Sequence, residues 1–348
     1  TGHTLVKLIT CTMINTYGTD YNVTTYGAPC TFEGCTFESQ GKFVNVYSDN
    51  GAATEVKATN CKFINLKSSD NKAAFNIKGS GPTQHAHVVV ANCTTEGKFP
   101  DHTKVDGQAI FLDGGLIMFD DPAWEDDVYA VVDGVTYYPY FTMDANGNYS
   151  VNSATGLKKA IKHWNALKTA GEKSITIADG TYEVSDMAIF QNYANKSLII
   201  KAENKGSAII KPAEGSKQLL FVIAGESRSY AGHIIFDALK FDLSGASNTA
   251  IESDVISISD AVGTNLPADE KALYTGSHHY AHDITIKNCE IVGFADAASD
   301  NAKCSVVRTE NQNGYNIKVQ NKYKSKDNYN DVNDSEHQIY IKIGIIYQ

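Results

Sequence analysis

A short cysteine-led phrase recurs along the chain and narrows its folding options more than any other pattern in it. CTMIN begins at Cys11, CTFES at Cys35, CKFIN at Cys61, CTTEG at Cys93 and CEIVG at Cys289, and the first four are separated by 24, 26 and 32 residues. Asparagine directly precedes three of these cysteines, as Asn60, Asn92 and Asn288. Just upstream, VKATNCKF, HVVVANC and HDITIKNCEI alternate in polarity at period two, a strand signature. A strand returning every ~25 residues, with Asn, Gly, Ser and Asp at the corners, predicts a coil that stacks on itself: an all-β, right-handed parallel β-helix. Successive coils would lie ~4.8 Å apart, so equivalent side chains should form columns. Cysteine in such a column acts as a small core hydrophobe. The total of seven is odd, leaving at least one thiol unpaired in a monomer, although neighbouring rungs come close enough for a disulfide in principle. Paired β-sandwiches fit ~25-residue coils less well.

The chain's 348 residues suffice for two domains or one elongated one. With 42% hydrophobic and 20% charged residues, and no apolar run approaching the ~20 residues of a spanning helix, it reads as a soluble folded protein without membrane insertion. A net charge of -10 argues against nucleic acid as a partner. Only Arg228 and Arg308 supply guanidinium groups, which disfavours sites that clamp acidic sugars bidentately. The chain opens at Thr1, so its start says nothing for or against export.

The coil rhythm divides the sequence. Residues 1–110 read as coils of a first module, and 111–150 as an acidic, aromatic boundary segment with irregular structure and short strands. Residues 151–320 read as a second module, and 321–348 as a polar tail ending in an alternating strand. A short capping α-helix is expected over 153–170, because Leu157, Ile161, Trp164 and Leu167 recur at helical spacing, with Ser153 to cap its start and Gly171 its end. The first module lacks such a cap. Its raw edge invites end-to-end contact, or is covered by another segment such as IYIKIGIIYQ at 339–348.

A helix followed by a strand ending in DGTYEV, Asp179 to Val184, resembles the start of pectate-lyase-like β-helix proteins. GCTFES, NCKFIN and IKNCEIVGF resemble their stacked turns, in particular those of secreted and surface β-helix proteins of gut anaerobes. VVDGVTYYPYF followed by NGNYSVNSATGLKKAI resembles a junction between tandem modules of that group. The resemblance implies a secreted or cell-surface location and a polysaccharide or glycan partner. It does not select an activity, since that superfamily holds lyases, hydrolases, esterases, adhesins and tailspikes.

Uronate lyases of this fold use a basic residue beside carboxylates that hold substrate or calcium. The nearest counterpart is HIIFDALKFDLSG, with Asp237, Lys240 and Asp242. Flanking carboxylates would raise the lysine's pKa, the wrong direction for a base, so an exposed ion pair is the plainer reading. Asp120 with Asp121, and Asp126 with Asp127, are acidic pairs, but sequence neighbours on a strand point apart. The Asn-Thr-Asp, Gly-His-Gly and Arg-Ile-Lys signatures of polygalacturonase-like proteins are missing, and resemblance to pectin methylesterases stops at DGTYEV.

His278, His279, His282 and Asp283 could be combined into a metal site, but adjacent strand histidines face opposite ways, so no metal centre is expected and calcium alone stays open. His87, His233 and His282 are expected to satisfy backbone groups at strand starts. Sugar-stacking aromatics are the other candidates: Trp124, Tyr137, Tyr138, Tyr140 and Tyr280. The sequence therefore leads us to expect an adhesin-like or carbohydrate-binding β-helix protein without catalysis, with a polysaccharide lyase or glycoside hydrolase of the same fold as the alternative.

Overall fold

The computed structural model describes residues 5–48, 54–67, 73–78, 86–97, 99, 110–111, 115–119, 128–184, 187–191, 195–213, 219–225, 232–243, 252–258, 281–292, 303–310, 314–315, 318–320 and 345–346. The chain is an all-β, right-handed parallel β-helix with one short helix, and it divides into two compact units, Thr1–Gly147 and Asn148–Gln348.

In the first unit each coil contributes one strand to each of three walls. The first wall stacks Val6–Ile9, Cys30–Glu33, Thr54–Thr59, Ala86–Ala91 and Val128–Val132, all parallel. The second stacks Thr12–Asn15, Thr36–Ser39, Lys62–Asn65 and Thr94–Glu96. The third stacks Tyr21–Thr24, Lys42–Tyr47, Phe75–Lys78 and Ile117–Phe119, the last of which also pairs antiparallel with Ile110–Phe111. Thus Ile117–Phe119 and Val128–Val132, within the expected boundary segment, are regular rungs of this unit. A short antiparallel meander, Val135–Tyr137 and Phe141–Met143, follows them.

The columns form as equivalent residues come into register. Inward-facing Phe37 and Phe63 stack with ring centroids 4.8 Å apart, and Phe63 meets Phe75 edge-on at 5.0 Å. Val56, Val88 and Ala130 fill the first-wall side of the same core. Cys35 and Cys61 are buried in it, while Cys11 and Cys93, at the ends of their column, are half-buried. The corner between the first and second walls needs a left-handed residue directly before each cysteine-led strand. Thr10, Gly34, Asn60, Asn92 and Asn288 all take positive φ there, and asparagine tolerates that region better than most side chains. This explains the Asn-Cys pairs.

In the second unit the first wall stacks Tyr149–Val151, Gly171–Ile177, Lys196–Ala202, Ile234–Asp237, Ile284–Lys287 and Lys318–Gln320. The second holds Gly180–Val184, Ala208–Pro212, Lys240–Asp242 and Glu290–Val292. The third holds Met187–Gln191, Leu219–Gly225, Glu252–Ile258, Lys303–Glu310 and Ile345–Ile346. The expected helix spans Ala154–Ala166, and the Ser153 hydroxyl accepts the Gly156 N–H at 3.0 Å. Leu157, Ile161 and Trp164 are buried as the spacing predicts. The helix stops short of Gly171, however: Leu167 turns extended after its N–H reaches the Trp164 carbonyl, and Gly171 opens the next strand. Lys196 is buried beneath this helix, its ammonium 4.1 Å from the Trp164 ring and donating to the Asn165 carbonyl at 3.1 Å.

The C-terminal strand does not cover the first module's open edge. Ile345–Ile346 instead pairs with Thr309–Glu310, as a further rung of the second unit's third wall. The opposite edge of the first unit begins with Val6–Ile9, which pairs with Cys30–Glu33; Leu5, Val6, Ile9 and Ile14 are exposed there.

Candidate functional site

Function on a β-helix belongs to the outward side chains of its walls, because the inward ones are consumed by the core. On the third wall of the first unit, Val23, Val44 and Phe75 share one inward register position, and Val46 with Ile77 the next. Alternation turns Thr24, Asn45 and Asn76 outward between them, one above another. Asn76 is fully buried even so, and its Nδ2 donates to the Tyr21 hydroxyl at 2.9 Å. That bond draws the Tyr21 ring along the wall across two rungs, where the Lys42 ammonium lies 5.0 Å from its centroid. Among the described residues, the buried Oδ1 atoms of Asn45 and Asn76 have no hydrogen-bond partner. A buried acceptor left so costs ~1–3 kcal/mol.

More aromatic surface flanks these amides. Tyr26, 63% exposed, meets Tyr47 edge-on at 5.9 Å at the far end of the strand. Tyr17, 73% exposed, stands in the loop before Tyr21, its N–H held by the Asn15 Oδ1 at 2.8 Å. The outer wall and the loops beside it thus combine four tyrosines, the ammonium groups of Lys42 and Lys78, and two amides whose oxygens are buried. Sequence reasoning passed over all of them. The signal available was the tyrosine interval Tyr17, Tyr21 and Tyr26 beside Tyr47 one coil later.

The tyrosines singled out from the sequence are placed differently. Tyr138 stacks on Phe141 with centroids 4.5 Å apart and lies 5.7 Å from Tyr129, and burial pushes its phenol up to about 12. Tyr137 packs against the first unit's core, and Tyr140 is half-buried. The Tyr138 ring thus packs within the meander and Tyr137 against the core. Trp124, Tyr280, His278, His279 and the pairs Asp120–Asp121 and Asp126–Asp127 lie outside the described residues, as does the side chain of His282.

Asp237, Lys240 and Asp242 are brought onto the first and second walls of the second unit, separated by the left-handed corner at Ala238. Lys240 pairs with Glu290 on the next rung at 3.6 Å. Asp237 pairs with Lys287 at 3.3 Å and accepts from the Asn288 amide at 2.8 Å. Asp242 also acts on Lys211, whose ammonium is bonded to Glu183 at 2.8 Å and held above the usual lysine range chiefly by that bond. The arrangement is a ladder of cross-rung ion pairs, and each candidate spends its charge on a neighbour.

Two histidines expected to satisfy backbone groups have side-chain partners. His87 lies over Tyr129 with centroids 4.0 Å apart. His233 joins Glu172 through Nε2 at 2.8 Å and faces the Ser197 hydroxyl through Nδ1 at 3.3 Å. Glu172, Ser197 and His233 occupy one outer column over three rungs. Ser197 is only 6% exposed, and its Oγ already accepts the His233 N–H at 3.1 Å, so the trio braces the wall.

Compared with known proteins, this chain matches no family profile, no curated protein and no solved structure.

Proposed function

We propose that this chain is a secreted or cell-surface protein of the pectate-lyase-like β-helix type, with an adhesin-like role in binding carbohydrate without cleaving it. The observation that carries this reading is the outer third wall of the first unit, where the exposed rings of Tyr17 and Tyr26 stand beside Tyr21 and Tyr47. Aromatic faces suit the C–H faces of pyranose rings, and phenol hydroxyls at their wet edges suit sugar hydroxyls. Lys42 sits against the Tyr21 ring, Lys78 stands in register with Tyr47 on the next rung of the same wall, and the chain has only two arginines. With almost no guanidinium groups to clamp carboxylates bidentately, the ligand class is a neutral, hydroxyl-rich glycan rather than a polyuronate.

A glycan screen followed by calorimetry on the full chain tests this, with parallel assays for unsaturated products and new reducing ends. The expected result is binding of neutral oligosaccharides without product. Release of product from any bound glycan would replace the binding reading with that of a lyase or hydrolase.

A further inference from the structure

We propose that Cys61 and Cys93 are a redox pair that closes into an intramolecular disulfide by exchange with a small oxidised disulfide, a modification independent of glycan binding. The two residues stand on adjacent rungs at the corner between the first and second walls. Thr59 is paired with Ala91 just before them and Lys62 with Thr94 just after, so the cysteines are in register. Neighbouring parallel strands lie ~4.8 Å apart, inside the ~4.4–6.8 Å Cα separation that a disulfide spans. The Cys61 N–H donates to the Cys93 sulfur at 3.3 Å, which places that sulfur against the Cys61 backbone.

Their environment separates them from the other described cysteines. Cys30 and Cys35 are buried, with thiol pKa values raised chiefly by burial, and burial pushes Cys289 up to about 12. Cys61 is instead pulled down to about 7, chiefly by the hydrogen bond its thiolate accepts from Cys93, and the same bond pushes Cys93 up. The pair thus gives up one proton readily and holds the second. Cys61 is 2% exposed, while Cys93, at the end of the column, is half-buried.

The exchange is balanced. Cys93, the less buried of the two, gives up its proton and attacks one sulfur of oxidised glutathione, forming a mixed disulfide and expelling one glutathione thiolate. The second cysteine gives up its proton and attacks the protein sulfur of that mixed disulfide, expelling the second. Two electrons and two protons pass from the cysteines to two molecules of glutathione. The product ties the third coil to the fourth.

The test treats the folded full chain with oxidised glutathione, alkylates the remaining thiols and maps the peptides by mass. The expected product is lighter than the starting protein by two hydrogen atoms, has lost two alkylatable thiols and yields one crosslinked peptide joining Cys61 to Cys93. Dithiothreitol restores both thiols. Cys61→Ser and Cys93→Ser each lose the bridge, whereas Cys35→Ser keeps it, with circular dichroism reporting that each variant is folded. A bridge from Cys61 to Cys35, a glutathione adduct that persists on the unmutated chain, or a full set of alkylatable thiols would each overturn the proposal.

Discussion

Asn60 turns the chain from the first wall into the second with a φ of 55°, where a β-branched side chain collides with its own backbone. Asn60→Val should lower stability to urea by ~1–2 kcal/mol, while Asn60→Gly should leave it within a few tenths. Equal losses from both would show that the amide, not the backbone conformation, matters at this corner. In the second unit, Asp179 accepts from Ser207 and Asn204, and these bonds hold its carboxyl below the usual aspartate range. A depressed folded pKa gives stability that is fully present above the unfolded value, ~3.9, and lost as pH falls through the folded one. Carboxyl-carbon NMR should therefore show Asp179 titrating below a model aspartate, and Ser207→Ala should move it back up. A titration that Ser207→Ala leaves in place would refute the assignment. The asparagine before Cys61, Cys93 and Cys289 was visible in the sequence. Its meaning was not, because only the fold shows that the position demands left-handed backbone.

At the scale of elements, strands and helix follow from local pattern, and their limits from packing. Helical spacing located Leu157, Ile161 and Trp164 on the buried face, but Gly171 was too remote a stop: the chain leaves the helix at Leu167 to reach the start of the first wall. Lys196 could not be read as buried, since nothing local announces that Trp164 and the Asn165 carbonyl will receive its ammonium. Phenylalanine recurring one coil apart did carry its meaning, because the repeat brings Phe37 and Phe63 into register. Phe63 touches Phe37, Phe43 and Phe75, so Phe63→Ala opens a cavity inside a column and should cost ~3–5 kcal/mol in chemical denaturation. A loss below ~1 kcal/mol would mean that the coils do not depend on stacked aromatics.

Across the whole molecule, repetition made the architecture legible while leaving the outer walls unread. Columns are a consequence of period, so Cys35, Cys61 and the aromatic core could be foreseen. Outward residues obey no such rule, and the sequence led to Tyr137 and Tyr138, which the meander consumes in packing, and to Lys240, which pairs with Glu290. The wall bearing Tyr21, Tyr26, Asn45, Tyr47 and Asn76 emerged only once three coils were laid side by side. The account stands on that wall, and titrating a neutral oligosaccharide chosen by the screen into the native chain and into Tyr26→Ala tests it most directly. Loss of one stacked ring should weaken binding by roughly 3–10-fold, ~0.5–1.5 kcal/mol, with the denaturation midpoint unchanged because Tyr26 is exposed. Undiminished affinity in the variant, or no heat from any neutral glycan with the native chain, would contradict it.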